Sequence, residues 1–195
     1  MYITKDALSR SGKKYYRFFS PGNESKLSVI DGNYICRPNS MIEDGIFFAE
    51  EEHAIEWIFN GDSLAEVIFD PAHPLFARLP NLYFVESQKY SGKAVIIGKP
   101  IHLNQIEMFE FIKKHFDFSN STSSLQMHLI KNKAYDTLER VWKFKYSKVG
   151  NDQYESDLSD AIAYIKIAHF DRNNLEDCMK YQNCNNWDEL KSHFK

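Results

Sequence analysis

Gly45 to Phe69, GIFFAEEEHAIEWIFNGDSLAEVIF, sets the architecture of the first half of the chain. Gly45-Ile46-Phe47-Phe48 is a short aromatic strand. In the stretch Ala49 to Phe59, Ala54, Ile55, Ile58 and Phe59 recur at helical spacing with Trp57 beside them, which predicts a helix. Glu50, Glu51 and Glu52 fall in its first turn, where carboxylates favour the positive end of the helix dipole. Asn60-Gly61 stops it, and Leu64 to Phe69 is again a β-prone run. Strand, helix and strand within one short stretch point to an α+β chain.

The segments on either side fit that reading. Upstream, Tyr15 to Phe19 is an aromatic strand containing Arg17. Leu27 to Ile30 and Asn33 to Arg37 flank Asp31-Gly32, the signal of a tight hairpin. Downstream come a Pro-rich turn at Asp70-Pro71-Ala72-His73-Pro74, a strand at Leu82 to Glu86, and another at Lys93 to Ile97 that ends at Gly98 and Pro100. From Asn104 onward the pattern turns helical. Ile106, Phe109, Ile112 and Phe116 lie on one stripe, and the polar run Asp117 to Ser124 is the main compositional boundary. Leu125 to Tyr146 reads as one or two helices, followed by Ser156 to Phe170, Asn174 to Tyr181 and Asn186 to Phe194. The expectation is an α+β protein with a strand-rich domain carrying one helix over 1–103 and a helical region over 104–195.

Composition narrows the function classes. With 195 residues there is room for one domain and an appendage, and 24 basic against 27 acidic side chains exclude a globally basic nucleic-acid packer. Fifteen Phe, eleven Tyr and three Trp make the core, and any contact surface, aromatic. Three cysteines, Cys36, Cys178 and Cys184, with no apolar leader in the first residues and no membrane-length apolar run, point to an intracellular protein without a disulfide framework.

Three constellations bear on chemistry. Six acidic residues lie between Glu43 and Glu56, but successive glutamates on a helical turn point in different directions, so they read as a solvated helix start. His169, Cys178, Cys184 and His193 are zinc-competent types, yet their H-x8-C-x5-C-x8-H spacing departs from the Cys-x2–4-Cys turn of structural zinc, and no metal or other cofactor is assigned. Lys131 to Lys148 holds six basic and two acidic residues interleaved with Tyr135, Trp142, Phe144 and Tyr146, a pattern compatible with single-stranded nucleic acid. Trp142-Lys143-Phe144-Lys145-Tyr146 equally alternates as an edge strand or helix end with rings inward. No Gly-x-Ser-x-Gly elbow, Gly-rich phosphate loop or His-Glu-x-x-His helix occurs.

Gly45-Ile46-Phe47-Phe48, Asn60-Gly61-Asp62, Glu66-Val67-Ile68 and Lys93-Ala94-Val95-Ile96-Ile97 resemble, in order, the N-terminal domain of ankyrin-repeat proteins of mimivirus-like giant viruses. Thr137-Leu138-Glu139-Arg140-Val141 and Asn174-Leu175-Glu176-Asp177-Cys178 resemble the second helix of a viral ankyrin repeat, without its Thr-Pro-Leu-His start. The resemblance implies a viral structural or host-facing protein, located in the host cytoplasm or the virion. A second likeness, loosely similar to ADP-ribosyltransferase-like folds, rests on Arg17, Ser40 and Gly45-Ile46-Phe47-Phe48. It implies an NAD site with Arg17 and Ser40 binding and Glu86 as the late glutamate. The Ser-Thr-Ser strand and Glu-x-Glu turn of that family are not legible, which favours a binding module over an enzyme. The leading expectation is therefore a non-enzymatic protein that binds a protein partner or itself, through Trp142, Phe144, Tyr146, Trp187, Lys143 and Lys145. The NAD binder or enzyme is the first alternative and nucleic acid at 131–148 the second.

Overall fold

A computed structural model describes residues 1–21, 27–30, 33–37, 45–119, 122–147, 151–169 and 175–194, with the backbone alone for 27, 29, 30, 33, 151–157 and 175–178. The chain is α+β and divides into two compact units, Met1–His102 and Leu103–Lys195.

In the first unit, β1 (Tyr2–Thr4) leads into α1 (Lys5–Arg10), then β2 (Tyr15–Phe19), β3 (Leu27–Ile30), β4 (Asn33–Cys36) and β5 (Ile46–Glu50). Next comes α2 (Glu51–Ala54), continued as a 3-10 segment (Ile55–Asn60), and then β6 (Ser63–Ile68). After a short 3-10 turn at Phe76–Arg78 come β7 (Leu82–Glu86), β8 (Lys89–Gly92), β9 (Val95–Ile97) and β10 (Ile101–His102). The strands form one antiparallel sheet in the order β1-β7-β8-β5-β2-β6-β9-β4-β3, with β10 also paired to β6. The Leu27–Cys36 hairpin has the two-residue loop expected from Asp31-Gly32, since Ile30 pairs with Asn33; the loop residues lie outside the described ones.

The helix expected over Ala49 to Phe59 is one α-helical turn that tightens into 3-10 geometry before Gly61. A Cβ at Gly61 would collide with the Phe19 backbone, so glycine is required there by space, the local backbone being extended. β8 went unforeseen because its sequence, KYSG, is short and polar. It is joined to β7 by Ser87 and Gln88, with φ of 43° and 64°, which is the positive-φ pair a type I′ hairpin loop needs and for which Asn-Gly is the usual signal. Nor were β1 and α1 foreseen. Thr4 Oγ1 caps α1 by accepting from Ala7 N at 3.2 Å, and Lys5 Nζ donates to Phe76 O at 3.0 Å, tying α1 to the turn before β7.

One face of the sheet is packed. Tyr15, Phe19, Ile46, Phe48, Ala65, Val67, Phe69, Leu75, Tyr83 and Tyr90 belong to a single buried core. Phe48 and Tyr90 stack at 5.4 Å, and Tyr15 and Tyr83 meet neighbouring rings edge to face, arrangements that satisfy the ring quadrupoles. The Tyr83 hydroxyl, fully buried, donates to Ala94 O at 2.8 Å. At the margin of this core, Glu50 accepts from Lys13 Nζ at 2.6 and 2.7 Å and from the Tyr90 hydroxyl at 2.6 Å. Burial pushes the Glu50 carboxyl up, but these hydrogen bonds and the Lys13 charge prevail and hold it below the usual carboxylate range.

The second unit contains α3 (Ile106–His115), α4 (Ser123–Lys131), α5 (Tyr135–Tyr146), α6 (Asn151–Ala168), α7 (Leu175–Gln182) and α8 (Trp187–Lys191). Leu125 to Tyr146 is thus two helices. Ala134 N donates to Leu129 O and Lys133 N to Ile130 O, with Lys133 at φ 55°, a left-handed helix stop made without glycine. Asn186 caps α8 reciprocally with Glu189: Glu189 N donates to Asn186 Oδ1 at 2.9 Å and Asn186 Nδ2 to Glu189 Oε1 at 2.7 Å. Met108, Ile112, Leu125, Leu129, Leu138, Val141, Trp142, Ile165 and Leu190 form the buried interior. Among the described residues no helix is long and apolar enough to cross a membrane.

Candidate binding face and pocket of the sheet

The second face of the sheet is open at the β1 end. Cross-strand pairing places Tyr2 opposite Phe84, Phe84 opposite Ser91, and Ser91 opposite Phe47, so these side chains form one row on one face. Tyr2 is 69% exposed, Leu82 55%, Phe84 41% and Phe47 38%, and Tyr2 meets Phe84 edge to face at 5.7 Å. Aromatic and leucine side chains grouped in this way on solvent are unusual for a surface without a partner.

The row runs into a cavity between β2 and β5. Their ladder has two pairs, Tyr15 with Glu50 and Tyr16 with Ala49. Beyond them Arg17 Nη1 donates to Phe47 O at 2.9 Å, so a guanidinium takes a β5 carbonyl where the ladder has stopped. The cavity has a volume of about 350 Å³ and is lined by Tyr16, Arg17, Phe18, Phe47, Phe48, Ala49, Trp57, Asn60 and Lys89. Its lining takes residues whose side chains belong to both sheet faces, Arg17 and Phe48 to the packed side and Tyr16, Phe18 and Phe47 to the other, as a gap between strands does. Lys89 lies opposite Glu86 but makes no ion pair with it; its Nζ sits 4.0 Å from the Phe47 ring centroid and 4.9 Å from that of Trp57. Burial, with the charges of Glu66 and Glu51, pushes the Tyr16 phenol up to about 12, so it stays a neutral donor.

Arg17 lines this cavity, but Glu86 does not. Glu86 is on the exposed β7–β8 turn, and the row Glu86, Lys89, Ala49, Tyr16 puts three strand spacings, about 14 Å, between it and β2. Ser40 lies outside the described residues. Of the residues expected of an NAD site, Arg17 and Glu86 are therefore not brought together.

Of the expected contact residues of the second unit, Trp142, Tyr146 and Trp187 face inward, whereas Lys143 is exposed. Trp142 and Trp187 are 1% and 8% exposed and meet edge to face at 4.8 Å, and Tyr146 is buried. Phe144 packs on Phe109 and Phe118. Lys143 reaches Glu139 at 2.8 Å, Lys191 holds the same carboxylate, and Lys145 donates to Thr122 Oγ1 at 3.0 Å. Of the rings that would stack bases, Tyr135, Trp142 and Tyr146 are thus core, because α5 folds as a helix whose buried stripe includes them with Leu138 and Val141, and Phe144 is half-buried.

His169 and His193 do gather around Tyr181, at ring distances of 3.8 and 5.9 Å, beside a cavity of about 700 Å³. The Tyr135 hydroxyl lies 2.5 Å from His169 Nε2, and burial pushes the Tyr135 phenol up. Cys184 Sγ donates instead to Lys180 O, burial pushes its thiol up, and the Cys178 side chain lies outside the described residues. Among the described residues no group of three or more His, Cys, Asp or Glu could hold a metal ion. Of the acidic run, Glu50 is taken by Lys13 and Tyr90, Glu52 and Glu56 flank His53, and Glu43 and Asp44 lie outside the described residues.

A serine, a histidine and an aspartate meet at Ser63, whose Oγ donates to Asp62 Oδ1 and lies 2.9 Å from His102 Nδ1. The aspartate is on the serine rather than behind the histidine, and Ser63 is fully buried, so the arrangement has neither the relay nor the access of a nucleophilic triad.

The geometry defines an α+β protein with an open aromatic sheet face and an adjoining cationic, aromatic cavity. No family model, curated protein or solved structure matches the chain.

Proposed function

We propose that this chain is a non-catalytic interaction protein and that the open face at the β1 edge takes a second copy of the chain. One observation carries the reading: Tyr2, Leu82 and Phe84, all exposed, cluster beside β1, the strand that ends the sheet order. An edge strand presents unpaired backbone donors and acceptors, and natural sheets blunt such edges with proline, charge or a bulge. β1, Tyr-Ile-Thr, has neither proline nor charge. Two β1 strands related by a two-fold axis would extend the sheet across both copies and bring the two Tyr2, Leu82 and Phe84 sets together, the self-complementary contact that two-fold dimers use. The resemblance of residues 44–110 to giant-virus ankyrin-repeat proteins supports a structural or host-facing role of the same kind.

Size-exclusion chromatography with light scattering tests this. Wild type should run as a dimer, and the double variant Tyr2→Asp, Phe84→Asp as a monomer with an unchanged far-ultraviolet dichroism spectrum. A wild-type protein that stays monomeric at high micromolar concentration overturns the proposal.

A further inference from the structure

We propose that the gap between β2 and β5 is a binding site for a small molecule that joins one planar ring to one anionic group. The inference is independent of the dimer contact and uses different side chains.

The charge of the cavity is one-sided. Among the described residues, Arg17, 7% exposed, and Lys89 both line it and no Asp or Glu does, although Glu51 and Glu66 stand beside Tyr16 outside the lining. Lys89 makes the stronger case. A lysine directly opposite a glutamate on neighbouring strands ordinarily gains from pairing with it. Here the ammonium leaves Glu86 to solvent and lies over the Phe47 and Trp57 rings, within the distance at which a cation is drawn to a ring face. Its charge is thereby held at the cavity, with no carboxylate among the described residues paired to it.

The walls supply the other half of the recognition. Phe47, Phe18, Tyr16 and Trp57 come from two strands and the 3-10 segment. Rings set around a slot accept a planar ligand by stacking or edge contact. A ligand ring that enters displaces the Lys89 ammonium from Phe47 and Trp57, and the ammonium then has an anion to pair with on the same ligand. Arg17 does not swing in the same way, because Nη1 is fixed on Phe47 O.

Volume sets the size. About 350 Å³ is near the lower bound of small-molecule sites, roughly 300–1,000 Å³. One ring system with one anionic group fits that space, and a dinucleotide exceeds it. Two sources share this chemistry, nucleoside monophosphates and aromatic carboxylates.

Calorimetric titration of the full chain with adenosine 5′-monophosphate, adenosine and 1-naphthoate tests the site. Saturable binding of either anion is expected, with adenosine weaker by about tenfold or more, the usual worth of a charge-assisted contact. Preference for the nucleotide or for naphthoate identifies which source the site selects. Lys89→Ala should weaken the bound anion by about tenfold while Lys89→Arg, which keeps a cation to pair with the anion, retains most of the affinity. Trp57→Ala should weaken both anions. The proposal is overturned if neither anion binds up to millimolar concentration, if adenosine binds as tightly as its monophosphate and naphthoate does not bind, or if Lys89→Ala leaves the affinity unchanged in a folded protein.

Discussion

At Glu50 a single carboxylate shows how this protein handles charge near its core. The side chain is held by Lys13 from one side and the Tyr90 hydroxyl from the other, and its acidity is shifted below the ordinary range. A group whose folded-state pKa is depressed adds stability above its unfolded value, near 4.3, and loses it as pH falls through the folded value. Glu50→Gln should therefore lower stability by about 1–2 kcal/mol at neutral pH, the worth of a hydrogen bond to a buried charge. The deficit should shrink as pH drops below about 4, where wild type loses the same charge. Urea denaturation of both proteins at pH 7 and pH 3 measures this, and a deficit independent of pH would show that the charge is not what matters. The sequence displayed Glu50 as one of several glutamates at a helix start. Its burial came from Lys13 and Tyr90, both distant in sequence, and no local pattern announces such partners.

The β7–β8 hairpin shows the same limit at the level of an element. It sets Phe84 in the open row and Lys89 at the cavity, yet its loop is Ser87-Gln88, both at positive φ. Left-handed backbone costs a side-chain-bearing residue roughly 1–2 kcal/mol, which Gly avoids and Asn reduces. Replacing Ser87→Asn together with Gln88→Gly should raise stability by about 1 kcal/mol or more. A higher thermal midpoint in calorimetry checks it, and an unchanged or lower midpoint would mean that the loop is not strained. Where turn chemistry was conventional, as at Asp31-Gly32, the elements were legible, and at Asn60-Gly61 the glycine marked the helix end even though close approach to Phe19 is what requires it. Where a strand was short and polar and its turn used unfavoured residues, they were not. In α5 the 3.6-residue period and the basic, aromatic composition competed. Packing resolved that competition in favour of the core, so Trp142 and Tyr146 serve the helical unit.

For the whole molecule, a net charge of −3 and a pI near 6.2 leave little electrostatic repulsion between copies, and the exposed row at β1 offers an apolar contact. Association should therefore be strongest near pH 6.2 and weaken toward pH 8 as net charge grows. Static light scattering over pH 5–8 reads this directly. A scattering profile without a maximum near the isoelectric point would assign the contact to specific paired charges instead.

The sequence by itself determined the class. Hydrophobic period and turn residues are local, so an α+β chain with strands in the first half and helices in the second could be read directly. It also determined that Arg17 belongs to an aromatic strand. Only the tertiary structure decided which aromatics are interior and which face solvent, because that depends on strand order and register. The same order separated Glu86 from Arg17 and brought Lys89, Phe47 and Trp57 around it. A chemical site is a set of distances between residues far apart in the chain, and those distances exist only once the sheet has formed.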